Sequence, residues 1–177
     1  MVSKLAIFVD VQNIYYTTKQ AFGRSFDYRK FWALFDDKEF DDKEFDDKEF
    51  DDKEFDKNEI TLANAYAIAS NDDGQRRFQD ALRNIGFTVK LKPYIQRADG
   101  SAKGDWDVGI TLDVVDAAAN VDRIVLLSGD GDFSMLLDKI RHDHGVKTQV
   151  YGVQKLTAKL LIDSADEFVP IDEKLLI

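Results

Sequence analysis

Short apolar runs alternate along the chain with stretches of helical spacing. Lys4 to Val9 is apolar after its lysine and stops at Asp10, the pattern of a buried strand. Gln12 to Ala21 has helical spacing and closes at Gly23, and Asp27 is placed to cap a second helix carrying Tyr28, Phe31, Trp32 and Phe35. Ile60 to Ala69 predicts the next strand. A turn at Ser70 to Gly74 leads into a helix over Gln75 to Ile85 with Phe78, Leu82 and Ile85 on one face, ended by Gly86. Phe87 to Leu91 predicts a third strand, followed by a loop with Pro93, Arg97, Gly100 and Lys103. A helix over Asp107 to Ala119, with Val108, Leu112 and Val115 as its apolar face, precedes a fourth strand over Arg123 to Leu127. A helix from Phe133 to His144 closed by Gly145, a fifth strand from Val146 to Tyr151 and a helix from about Leu156 to Ser164 complete the pattern. Regular β-α alternation predicts an α/β chain, three layers around a mostly parallel sheet. The whole of 1–177 is expected to form one domain.

Residues 36–55 interrupt this alternation with four copies of Asp-Asp-Lys-Glu-Phe, and 56–60 resemble a worn fifth copy. Phenylalanine recurs every five residues from Phe35 to Phe55, which turns a helix by about 140° per repeat and alternates the faces of a strand. Neither element gains one apolar side, so 36–59 are expected to be a solvated acidic insertion, with i,i+4 pairs such as Glu39 with Lys43. The repeat also changes the meaning of the net charge of −10. Each copy carries three acids and one lysine, so four copies account for −8 and leave the remainder near neutral at −2. An acidic total therefore does not exclude a polyanionic partner. No cysteine is present, which removes disulfides, thiolate zinc sites and cysteine nucleophiles. Neither a signal peptide nor a run of membrane-spanning length is evident, so a cytoplasmic location away from membranes is expected.

Two of the predicted strands end in acids: Asp10, with Asn13 one helical turn on, and Ser128-Gly-Asp130-Gly-Asp132. In open parallel sheets, ligands sit beyond the carboxyl ends of the strands where the strand order reverses. If the first and fourth strands are neighbours, Asp10, Asp130 and Asp132 converge there, and Asp107 adds a carboxylate from the start of its helix. Carboxylates that close repel unless a cation neutralises them, and hard oxygen ligands select Mg²⁺ or Mn²⁺. Such a pocket polarises a phosphoryl oxygen, and Asn13 can orient a phosphate or water. Helix capping is the plain alternative for Asp10, Asp107 and Asp132, whereas Asp130 is not needed for it. Gly129-Asp-Gly131 lacks the third glycine of a dinucleotide loop, and Gln12 stands where a haloacid-dehalogenase type phosphatase needs aspartate. Lys90, Lys92, Arg97 and Lys103, with Tyr94 for stacking, form the expected basic contact set for a substrate.

Residues Ile7 to Asn13, Lys103 to Val108 with Asp113, and Leu127 to Phe133 together resemble the three motifs of the NYN domain, in the LabA-like (DUF88) branch of the PIN-like nuclease superfamily. Ser164 to Phe168 resembles that branch's last strand. The resemblance implies a PIN-like sheet of five strands or slightly more in the order 3-2-1-4-5, and Mg²⁺- or Mn²⁺-dependent RNA cleavage. It further implies Asp10, Asp107, Asp130 and Asp132 as the acidic set, with Asn13 and Ser128 as helpers. Either Asp105 or Asp107 could face the metal, and Asp107 is preferred because Val108 follows it at the apolar spacing of the helix. A ribonuclease is thus the leading expectation, with RNA ahead of DNA as partner and a homodimer left open. The alternatives are a catalytically weak regulatory or binding module acting through protein or RNA partners, and a small-molecule phosphatase.

Overall fold

A computed structural model describes residues 2–36, 57–93, 95–96, 102–103 and 105–177, with backbone alone for 95–96 and 102–103. Nine residues of strand β1 (Val2–Asp10) run through the centre of the sheet. Leu5, Ile7 and Val9 enter one apolar core and Ala6 and Phe8 the other, all fully buried. A strand covered on both faces has no polar side, which is why its sequence is a continuous apolar run.

Helix α1 (Val11–Phe22) follows at once and α2 (Tyr28–Ala33) after a turn, where Asp27 accepts hydrogen bonds from the backbone N–H groups of Arg29 and Lys30 at 3.1 Å each. Strand β2 (Lys57–Ile68) pairs in parallel with β1, Val2 opposite Lys57 and Asp10 opposite Tyr66. It begins three residues earlier than the apolar run predicts. Residues 57–59, read from sequence as the end of the acidic insertion, are therefore strand, since ladder pairing with Val2 to Lys4 outweighs their polarity. Phe35, at the head of the repeat's phenylalanine series, is also core and stacks edge-on against Phe31 and Tyr151. The four perfect copies from 37 onward, including the Glu39–Lys43 pair, lie outside the described residues.

Helix α3 (Asp73–Ile85) and strand β3 (Thr88–Lys92) extend the sheet on one side. The expected loop after β3 contains a small antiparallel pair, β4 (Ile95–Gln96) and β5 (Ala102–Lys103). Helix α4 (Asp107–Ala118) then leads to β6 (Arg123–Leu127), which pairs with β1 on its other side. A 3-10 turn (Gly131–Phe133), α5 (Ser134–His144), β7 (Lys147–Gly152), a second 3-10 turn (Gln154–Leu156), α6 (Lys159–Ser164) and β8 (Glu167–Pro170) complete the order. The sheet reads β3-β2-β1-β6-β7-β8, all parallel, so counted within it the strands run 3-2-1-4-5-6. The five-strand order is present, and β8 adds the sixth strand.

Helices α1, α2 and α3 bury Ile14, Phe31 and Leu82 in one core, while α4, α5 and α6 bury Ile110, Leu137 and Leu161 in the other. One sequence expectation is reversed here. Val108 and Leu112 of α4 are solvent-exposed, and Ile110, Val114 and Ala118 face the sheet instead. The helix carries apolar residues on both sides, so its rotation is set by contacts rather than by periodicity. Tyr66 donates to Asp113 Oδ2 at 2.7 Å, which turns the Asp113 side of the helix inward. Among the described residues no helix is long and apolar enough to cross a membrane.

Candidate metal centre

The strand order reverses between β1 and β6, and the crevice beyond their carboxyl ends receives both acid-terminated segments. Asp10 ends β1, and Ser128 to Asp132 follow β6. Carboxylate oxygens of Asp107, Asp130 and Asp132 all lie within 4.8 Å of one another, Asp132 exposed and the other two partly covered. Asp10 stands beside this triad and joins it through Ser128. The fully buried Ser128 hydroxyl donates to Asp10 Oδ2 at 3.1 Å and accepts the Asp130 backbone N–H at 3.2 Å.

The capping alternative separates these acids. Asp10 occupies the cap position of α1 without a well-formed capping hydrogen bond, although the Asn13 backbone N–H acts on its carboxyl and lowers its pKa. Asp107 is the first residue of α4, and the cap-like contact there comes from Asp105, whose Oδ1 accepts the Asp107 N–H at 3.3 Å. The oxygens that meet the triad therefore belong to Asp107, while Asp105 shapes the turn before it. Asp130 is the acid that does cap, contrary to the sequence reading: its Oδ1 accepts the Asp132 N–H at 2.9 Å across the 3-10 turn. Asp132 lies within that turn, and α5 starts only at Ser134.

Asn13 belongs to the scaffold of the crevice. Its Oδ1 accepts the Gly129 N–H at 2.8 Å, binding α1 to the loop after β6, so this oxygen is not free to orient a phosphate. Gly129 admits no side chain, since a Cβ there would stand 2.7 Å from the Leu156 carbonyl oxygen; at Gly131 it would stand 2.9 Å from Ala158 Cβ. On the opposite rim, the Trp106 indole N–H donates to the Ala67 carbonyl at 2.8 Å and anchors the entry to α4 on β2.

Electrostatics match the geometry. Burial pushes the Asp10 carboxyl up to about 6, against the opposing Ser128 hydrogen bond and with added repulsion from Asp130 and Asp105. Burial also raises Asp107 to about 7, reinforced by the charge of Asp130 and hydrogen bonding with it, then by Asp105 and Asp10. At both positions burial opposes the ionised form first, and neighbouring negative charge adds to it. Asp113 moves the other way: burial raises it, but Lys90 at 2.6 Å and the Tyr66 hydroxyl together hold it below the ordinary carboxylate range.

Two members of the expected basic contact set are committed elsewhere. Lys90 pairs with Asp113 and lies over the Tyr66 ring, while Lys92 donates to the Asp105 carbonyl at 2.9 Å and lies over the Trp106 ring. Lys92 thus holds the entry of α4, and Lys90 its middle, to the sheet. Arg97 and Tyr94 lie outside the described residues, and of Lys103 only the backbone, in β5, is described. Sequence reasoning missed the linkage of Asn64, Tyr66, Asp113 and Lys90 and the anchoring role of Trp106. The available signal was Asp113 itself, an acid six residues after Asp107 on a helix that must face the sheet.

The NYN domain family model matches residues 4–172. The chain is 29% identical over 179 residues to the low amplitude and bright protein LabA of Synechococcus elongatus, covering 97% of this chain and 85% of that protein. A crystal structure of a protein of unknown function from Vibrio parahaemolyticus is 50% identical and superposes with a TM-score of 0.83, covering 99% of this chain and 97% of that one.

Proposed function

Because the chain belongs to the NYN domain family, within the PIN-like nuclease superfamily, we propose that it is a nuclease hydrolysing phosphodiester bonds of RNA at a Mg²⁺ or Mn²⁺ site formed by Asp10, Asp107, Asp130 and Asp132. The observation that carries this reading is the approach of three carboxylates to within 4.8 Å at the switch point of a parallel sheet, with a fourth tied to them through Ser128. The donor set fits the group. It is all oxygen, accumulates negative charge and contains no sulfur or imidazole, as a hard divalent cation requires.

The chain's own residues provide placement. Ser128 fixes the Asp10 carboxylate by donating to one oxygen and holds the next loop residue by accepting its N–H. Asp130 accepts the Asp132 amide with Oδ1, which fixes its carboxylate on the turn that carries Asp132. Asn13 and Trp106 pin the two rims to α1 and β2, so the carboxylates are held by rigid elements rather than by free loops. A divalent cation bound there polarises a phosphoryl oxygen and lowers the pKa of a water.

The test is Mn²⁺-dependent cleavage of a panel of single-stranded and structured RNAs by wild type and by Asp130→Asn. The amide retains an oxygen to cap the Asp132 N–H, so the variant is expected to fold with no loss of thermal stability and to lose at least about 100-fold in kcat/KM. Cleavage unaffected by the substitution refutes the assignment of the site. Tight Mn²⁺ binding without hydrolysis of any RNA or DNA refutes the nuclease and leaves a binding module.

A further inference from the structure

A polyanion entering an acidic crevice needs cations on the rim, and two of those expected from sequence are occupied. Lys90 neutralises Asp113, and Lys92 is bound to the backbone of Asp105. The segment after β7 offers two others. Lys155, in the 3-10 turn Gln154–Leu156, and Lys159, the first residue of α6, are both exposed, and among the described residues neither forms an ion pair or hydrogen bond.

Their segment is built against the loop that carries Asp130 and Asp132. The Ala158 N–H donates to the Gly129 carbonyl at 3.0 Å. The backbone at Leu156 and Thr157 occupies the space that a side chain at Gly129 would need, and the Ala158 methyl occupies that at Gly131. Within the segment, Thr157 Oγ1 donates to the Val153 carbonyl at 2.8 Å, and the Leu156 N–H to the same carbonyl at 2.9 Å. Two exposed, uncommitted ammonium groups thus project from a backbone fixed directly to the acidic loop. Such groups remain hydrated until a phosphate pairs with them, and the counterions released from the RNA then favour the contact.

We infer that Lys155 and Lys159 grip the sugar-phosphate backbone of the RNA beside the acidic crevice, as substrate-binding residues. This inference rests on the nuclease reading. The two lysines act on substrate capture and not on the chemical step, so their removal raises KM and leaves kcat in place.

The experiment measures RNA cleavage in Mn²⁺ over a series of KCl concentrations. It compares wild type, Lys155→Gln/Lys159→Gln, the charge-conserving Lys155→Arg/Lys159→Arg, and Lys147→Gln at the opposite end of β7. For single strands each neutralised phosphate contributes ~0.7 to the slope of log(kcat/KM) against log[salt], so the double Gln variant is expected to be shallower by ~1.4. Its kcat at saturating RNA stays within about twofold of wild type, the Arg pair restores the slope, and Lys147→Gln follows wild type. A double Gln variant that cleaves with wild-type KM and slope overturns the assignment while leaving the nuclease reading intact. A Lys147→Gln slope reduced equally also overturns it, because the effect is then general charge. Absence of cleavage by wild type refutes the nuclease reading and removes the lysine assignment with it.

Discussion

Replacing Asp10 by asparagine should make the metal-free protein more stable at neutral pH and no more stable in acid. The wild-type carboxyl is lifted from 3.8 to about 6, first by burial and then by repulsion from Asp130 and Asp105, with the Ser128 hydroxyl opposing. A raised acid favours the folded state when protonated. Its contribution is complete below about pH 4, where folded and unfolded chains both carry the proton, and is lost as the pH rises through 6. The difference is about two units, or ~3 kcal/mol at pH 8 for ~1.4 kcal/mol per unit. Asparagine does not titrate and retains an oxygen for the Ser128 O–H, so the variant escapes this loss. For a chain of this size ~3 kcal/mol corresponds to ~6–12 °C in Tm. The assay is thermal unfolding in EDTA from pH 4 to 8, with the difference between variant and wild type taken at each pH so that other titrating groups cancel. Saturating Mn²⁺ should then reverse the ranking, because ligand binding stabilises only the protein that holds it. An unchanged or lower Tm for the variant at pH 8 in EDTA, or a gain of equal size at pH 4, would refute the reasoning.

Two further outcomes test the packing that presents the site. Ile110→Ala should cost ~2–4 kcal/mol in urea unfolding while Val108→Ala stays within ~0.5 kcal/mol, the reverse of what α4 periodicity implies; equal costs would refute the observed rotation of the helix. Gly129→Ala places a methyl 2.7 Å from the Leu156 carbonyl and should destabilise by ~1–3 kcal/mol, with weaker Mn²⁺ binding measured by calorimetry, since the loop must shift with its carboxylates.

Those outcomes also mark where the sequence was legible. The apolar stretches of strands β1 and β6 are buried on both faces, and acids follow them, Asp10 at the end of β1 and Asp130 three residues past β6, so the crevice could be read from the chain. The adjacency of the two strands came from the resemblance to a known fold, since spacing along a chain does not specify lateral order in a sheet. Helix α4 was rotated wrongly because Val108, Ile110, Leu112, Val114 and Val115 supply apolar residues on both sides, and hydrogen bonds from Trp106 and Tyr66 settle the choice. The basic residues resisted reading for another reason. Lys90 and Lys155 are indistinguishable as sequence, and only the placement of Asp113 beside one of them separates a structural ion pair from a free surface charge.

Capping and ion binding, opposed when the acids are considered singly, turn out to be the same arrangement. Asp130 caps its turn with Oδ1, and that hydrogen bond holds the same carboxylate beside Asp107 and Asp132. Ser128 uses its hydroxyl hydrogen for Asp10 and its oxygen for the Asp130 amide, so the end of β1 and the loop after β6 cannot move independently. The resulting cluster demands positive charge, and two sources can meet it. Below neutral pH a proton does so, held by Asp107 with its pKa near 7 and then by Asp10 near 6. On the proposed function a divalent cation would meet it instead, and would have to displace those protons in order to bind. Cation affinity should therefore rise with pH between about 5 and 8 and level off once both carboxyls are ionised. Mn²⁺ calorimetry in buffers of different ionisation enthalpy should show proton release on binding at pH 6 and nearly none at pH 8. Equal release at both values would mean that Asp10 and Asp107 do not share the ion.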